Sequence, residues 1–214
     1  MPVRQITSLP FAEPNTPRRP ERANGRRRYE MLLDAAERLL ERDSAAALTI
    51  QNLAREADVP MASVYHFFPS APAVSIALSE RYMAAFAELV MRPILGHQSM
   101  GWQAIIALLF RRAVRFYQQH PYAQTLVLGS DHSWQIRRAD MANNRRLAQS
   151  VAQLIGDDFS HVTTAALIEA IVVSISMADG MFTLSIIEHG AVTPECGDEV
   201  ALAVCAYLEK KFAC

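Results

Sequence analysis

Thr49-Ile50-Gln51-Asn52-Leu53-Ala54-Arg55-Glu56-Ala57-Asp58-Val59-Pro60-Met61-Ala62-Ser63-Val64-Tyr65-His66-Phe67-Phe68 reads as two short amphipathic helices joined by a tight turn. Thr49 is an N-cap residue type, placed just before the apolar face of Ile50, Leu53, Ala54 and Ala57. Asp58-Val59-Pro60 makes the connection. Pro60 suits the first turn of the next helix, where its missing N–H costs nothing. Two helices that cross nearly at right angles need small residues at the crossing and apolar anchors on each side. Ala54, Ala57 and Val59 supply the crossing, and Val64, Phe67 and Phe68 face inward. Met61, Ala62, Ser63, Tyr65 and His66 are then left pointing outward.

Upstream, Met31, Leu32, Ala35, Ala36, Leu39 and Leu40 recur at helical steps from Arg26 to about Arg42. Residues 1–24 hold five prolines, and seven arginines precede Tyr29. Residues 1–28 carry a net +5, which leaves −6 for the rest of a chain whose total is −1. Residues 1–25 are therefore expected to be a disordered basic arm on a mildly acidic body, suited to touching phosphate.

With 51% apolar residues among 214, the chain can bury a sizeable core. Alternating runs bounded by turn residues are absent, so an all-α fold is expected. Downstream helices are expected over about 73–91, 102–119, 122–128, 133–155, 162–188 and 195–212. Cys196, Cys205 and Cys214 have no C-x-x-C spacing, and the six histidines are scattered. No metal site, disulfide framework or cofactor is expected, and the thiols read as reduced in a cytoplasmic protein. No signal peptide is expected, because residues 2–20 are polar and proline-rich. The apolar stretch 170–187 is interrupted by Asp179, so a buried helix is expected rather than a membrane span. No nucleophile elbow, phosphate loop or paired carboxylates at short spacing appear, so no catalytic residue and no enzyme is expected.

The 49–68 segment resembles the N-terminal domain of the TetR family of repressors. Thr49, Leu53-Ala54, Ala57, Val59, Tyr65, Phe67 and Phe68 match that pattern in order and spacing. Four positions depart from it. Asp58 stands where the family has Gly, Pro60 where it has Ser, Ala62 where a small residue, often Gly, is usual, and Ala71 where it has a phosphate-contacting Lys. The resemblance implies a DNA-binding domain over 26–75 and a ligand-binding and dimerisation domain over 76–214. It implies operator DNA as partner, with homodimerisation through the last two helices, a small-molecule effector and no membrane. By position, Gln51 would reach a base edge and Met61, Ala62 and Ser63 would face bases. Thr49, Tyr65, His66 and the arginines Arg26, Arg27 and Arg28 would reach phosphates. The competing class is a helical ligand-binding or interaction protein without sequence-specific DNA binding, which a salt-dependent gel shift would separate.

In the C-terminal part, Phe110, Phe116, Tyr117, Leu126, Trp134, Met177 and Phe182 are candidates for an apolar pocket lining. Asp179 lies in an apolar helix, where it would meet a cationic ligand or pair with Arg111 or Arg115. Ala166, Ala170, Ser174 and Ala178 recur every four residues, and this small-residue strip is expected to be the dimer seam. Val200, Val204, Tyr207 and Leu208 form the matching stripe on the last helix.

Overall fold

The computed structural model describes residues 16–43, 45–129 and 134–213. Residues 1–15 of the expected arm, Arg4 among them, and Cys214 lie outside them. The described residues are helical throughout, with no strand. The chain divides into two compact units that part between Ala77 and Leu78.

The first unit holds α1 (Ala23–Arg42), α2 (Ile50–Glu56), α3 (Met61–Phe67) and the start of α4 (Ala71–Val90). The apolar stripe of α1 buries Leu32, Leu33, Ala36 and Leu40. Phe68, fully buried, tilts against the Tyr29 ring at 4.8 Å, and Phe67 meets that ring edge-on at 5.8 Å. The Thr49 hydroxyl caps α2 by accepting from the Asn52 N–H at 3.1 Å. Asp58 adopts φ 51°, the left-handed conformation that Asp tolerates better than most residues. Arg38 and Arg42 both bond to Glu56, at 3.0 and 3.1 Å, which ties α2 to α1.

The arm is expected to be unstructured through residue 25, but over residues 16–25 the structure differs. Pro17 is buried, the Arg18 N–H donates to the Phe67 carbonyl at 2.8 Å, and α1 starts at Ala23. Backbone pairing with the end of α3 orders what composition alone reads as tail.

The second unit holds the rest of α4, α5 (Trp102–Gln119), α6 (Pro121–Ala123) with a wide turn over Gln124–Leu128, α7 (Trp134–Ile155), α8 (Thr164–His189) and α9 (Pro194–Phe212). Helix α5 packs on α9, and α8 packs on both α7 and α9. Gly197 permits the α5–α9 approach, since a Cβ there would stand 2.5 Å from a γ-carbon of Val114. Buried Gln124 donates to the Tyr117 carbonyl at 2.9 Å and accepts from the Val192 N–H at 3.0 Å, clamping the α8–α9 connection. Arg112 donates to the carbonyls of Val90 and Arg92 just past the end of α4. Among the described residues α8 alone is long and apolar enough to cross a membrane. It instead packs against two helices of its own unit.

Candidate functional site: an exposed helix pair and an internal cavity

In the first unit, the inward residues of α3 leave a defined outer face. Val64 and Phe67 are buried, while Met61, Ala62, Tyr65 and His66 are exposed and Ser63 is half-buried. Gln51 and Thr49 are exposed at the start of α2. An open groove joins this face to α1. It is lined by Asn24, Arg27, Arg28 and Met31 on one side, by Ala62, Ser63 and His66 on the other, and floored by the 57–59 turn. Arg27 bonds to the Asn24 side chain at 2.9 Å, and Arg26 donates to the Glu21 carbonyl. Arg27 and Arg28 thus stand across the groove from α3, the Arg27 guanidinium held by Asn24. Glu56 is the acidic group nearest this arrangement on α2. Hydrogen bonds from Arg38 and then Arg42 hold its carboxyl below the ordinary value, so it stays ionised and neutralised by α1. All ten residues expected to face DNA lie on the outer surface of this unit or half-buried in the groove. The sequence reading missed the groove partners Asn24 and Met31, whose only signal was their place one turn either side of Arg27 and Arg28.

In the second unit, α4, α5, α7, α8 and α9 line a cavity of about 80 Å³, narrowed by side chains to a slot. Its wall is aromatic and aliphatic: Phe86 from α4, Phe110, Phe116 and Tyr117 from α5, Phe182 from α8, with Val204 and Leu208 from α9. Rings pack edge to face around it, Phe110 and Tyr117 lying 6.4 and 5.8 Å from Phe182.

Polar groups gather at one end. Asp140, Asn143 and Asn144 come from α7 and Asp179 from α8. The Asn144 amide nitrogen donates to Asp179 at 3.2 Å and to Asp140 at 3.4 Å, bridging the two carboxylates. Burial pushes the Asp179 carboxyl up to about 7, helped by the Asp140 charge and opposed by Arg137 and the Asn144 hydrogen bond. Burial likewise raises Asp140 to about 6, against the pull of Arg137. Desolvation, then Asp179 and Asp140, hold the Tyr117 phenol well above its ordinary value.

Of the expected lining residues, Phe110, Phe116, Tyr117, Asp179 and Phe182 meet in this wall. Leu126 does not; its neighbour Val127 faces the cavity instead, because the wide 124–128 turn shifts the register. Met177 lies outside the wall, and the Trp134 side chain lies outside the described residues. Asp179 does not pair with Arg111 or Arg115, which are exposed; its neighbours are Asn144 and Asp140.

The expected seam also needs correction. Ala170, Ser174 and Ala178 are buried within one protomer, and Ser174 and Ala178 line the cavity. Val200, Val204 and Leu208 are buried as well. Small side chains let a helix approach closely, but their spacing does not say which helix approaches. The apolar residues that α8 leaves outside are Val173, Leu184 and Ile187, the last 75% exposed, on the face shared by Met177 and Gly180. On α9, Leu202 is 66% exposed.

Comparison with known proteins places both units. Residues 32–71 match the family model for bacterial regulatory proteins, tetR family. Residues 100–212, more than half the chain, match the tetracyclin repressor-like C-terminal domain. A TetR-family transcriptional regulator from Streptomyces coelicolor shares the fold with a TM-score of 0.66 at 22% identity, over 86% of this chain and 98% of that one. A TetR transcriptional regulator from Rhodococcus sp. RHA1 gives 0.64 at 17%, over 86% and 97%. The fatty acid degradation regulator FadR from Bacillus halodurans gives 0.63 at 13%, over 83% and 94%. No curated protein matches the chain.

Proposed function

The chain belongs to the TetR family of bacterial regulatory proteins, and from that premise we propose that it is a repressor released from operator DNA by an apolar or amphipathic small molecule. Its N-terminal unit is the family's DNA-binding domain and its C-terminal unit the family's ligand-binding domain. Members of the family bind operator DNA and dimerise.

One observation carries the proposal: α4 serves both units. Its first turns put Ala73 and Val74 into the core of the first unit, and its later turns put Tyr82, Met83, Phe86 and Val90 into the cavity wall. A ligand that moves those later residues moves the covalent support of the reading helix. The outer face of α2 and α3 is the reading surface. Gln51 is suited to adenine N6/N7, Met61 and Ala62 to a thymine methyl, and Tyr65, His66, Thr49 and the α1 arginines to phosphates.

The second copy docks on the exposed stripe of α8. Val173, Met177, Gly180, Leu184 and Ile187 alternate steps of four and three, the repeat of a two-helix seam. Only 33% of the most apolar window of α8 is buried within the protomer, so much of that surface still needs a partner.

Release requires reciprocity: a ligand that weakens DNA binding is weakened by DNA by the same factor. A hundred-fold effect needs about 2.7 kcal/mol of differential binding. Medium-chain alkyl compounds with neutral, anionic and cationic heads are titrated against the full chain with and without operator duplex. At least one binds more weakly when DNA is present. If every compound that binds does so equally in both titrations, release by a cavity ligand is wrong, while DNA binding stands.

A further inference from the structure

The polar end of the cavity holds more negative charge than the protein neutralises. Two carboxylates share one bridging amide. Arg137, half-buried, reaches Asp140 only at 3.7 Å, and no cation among the described residues pairs with Asp179. Two further polar groups are buried there with no hydrogen-bond partner among the described residues. They are the side-chain amide of Asn143 and the hydroxyl of Tyr117, residues 7% and 4% exposed. Buried polar groups are satisfied in the great majority of cases, so two orphans facing one cavity point to a group that completes them. An incoming carboxylate would add negative charge beside two acidic groups. An alcohol would leave the charge uncompensated. An ammonium can donate to Asp179, to Asp140 and to the Asn143 carbonyl or Tyr117 hydroxyl oxygen, while Phe86, Phe110 and Phe182 in the same wall shelter an alkyl body.

We propose that this cavity binds a primary or secondary ammonium carrying an apolar body, with its nitrogen seated between Asp179 and Asp140. This rests on the cavity being the effector site and names the ligand's chemical class.

Titration adds a signature. The titratable groups around the seat are Tyr117 from α5, Arg137 and Asp140 from α7 and Asp179 from α8; α4 contributes Tyr82 to the same cavity wall, and α9 only apolar residues. With Asp179 at about 7, a bound cation drives its carboxyl to ionise, so binding releases a proton near neutral pH and tightens as pH rises from 6 to 8.

Calorimetry on the full chain with decylamine, decanol and decanoate tests this, alongside Asp179→Asn and Asp140→Asn. Decylamine is expected to bind at least about ten-fold tighter than decanol, with decanoate weakest, and Asp179→Asn is expected to bring decylamine close to decanol. Proton release, measured in buffers of different ionisation enthalpy, disappears in that variant. No binding of decylamine, no advantage over decanol, or an advantage that survives both substitutions overturns the proposal. The same compounds are followed by operator anisotropy. Release by decanol or decanoate but not by decylamine overturns the ammonium seat and leaves the repressor reading intact. Decylamine bound with full preference but without effect on operator supports the seat and overturns release.

Discussion

Helices α3 and α8 dispose of apolar surface in opposite ways. Helix α3 has seven residues; it buries Val64 and Phe67 and turns Ser63, Tyr65 and His66 toward the groove or solvent. Helix α8 has 26 residues and is apolar nearly all round. One side, with Leu167, Ile171 and Phe182, fills its own unit, while Val173, Leu184 and Ile187 stay outside. A helix with one apolar side is complete once its unit folds. A helix with two is complete only when something further covers it. The first unit is thus a finished scaffold for a polar surface, and the second is built around partners.

The strongest way to break that contrast is to charge the outer stripe of α8. Leu184→Glu with Ile187→Glu is expected to give folded monomers in sedimentation, with operator affinity lowered on the order of 10²–10⁴-fold as the second half-site is lost. Dimers that persist with normal binding would place the seam elsewhere. Gly197→Val attacks the inner side of the second unit instead. Its branched side chain collides with Val114, and denaturant melting is expected to show a loss of about 1–3 kcal/mol. Unchanged stability would mean that α5 and α9 can separate at no cost.

Gln51→Ala acts on the surface of the first unit. Binding profiles are expected to lose about 1–3 kcal/mol of discrimination at one position per half-site, with melting unchanged. A uniform loss over all sequences would make Gln51 a phosphate contact. The smallest effect is on pH dependence. The folded Asp179 carboxyl, at about 7, lies above its unfolded value, so the native state binds more protons between roughly pH 4 and 7. Stability should therefore fall as pH rises from roughly 4 through 7, and Asp179→Asn should flatten the profile over that range. A variant profile parallel to the parent would assign the titration to other groups.

The same contrast explains what could be read from residue order. The outer face of α3 was legible because a short helix with a single apolar side has one way to lie down. Thr49 at the start of α2 and Asp58 in the turn before α3 set the helix pair through cap and turn chemistry that acts over a few residues. The outer stripe of α8 was not legible as distinct from its inner one. The small strip 166–178 and the 173–187 stripe both have helical period, and periodicity cannot tell an internal neighbour from a second copy. Tyr82, Phe86 and Val90 recur every four residues in α4 and were the available sign of a cavity wall there. On α7, Asp140 and Asn144 continue the stripe of Leu147 and Val151. Polar residues on an otherwise apolar stripe were the available sign of a built polar pocket.

The central claim is that the α2–α3 face of a dimer reads duplex DNA. The most direct measurement is selection of the full chain's ligands from a random duplex library at moderate salt, followed by sequencing. The account expects an inverted repeat with half-site centres about 34 Å apart or a multiple of that, lost in the α8 stripe variant. Enrichment of no sequence over the starting library, with binding that only tracks salt, would contradict it.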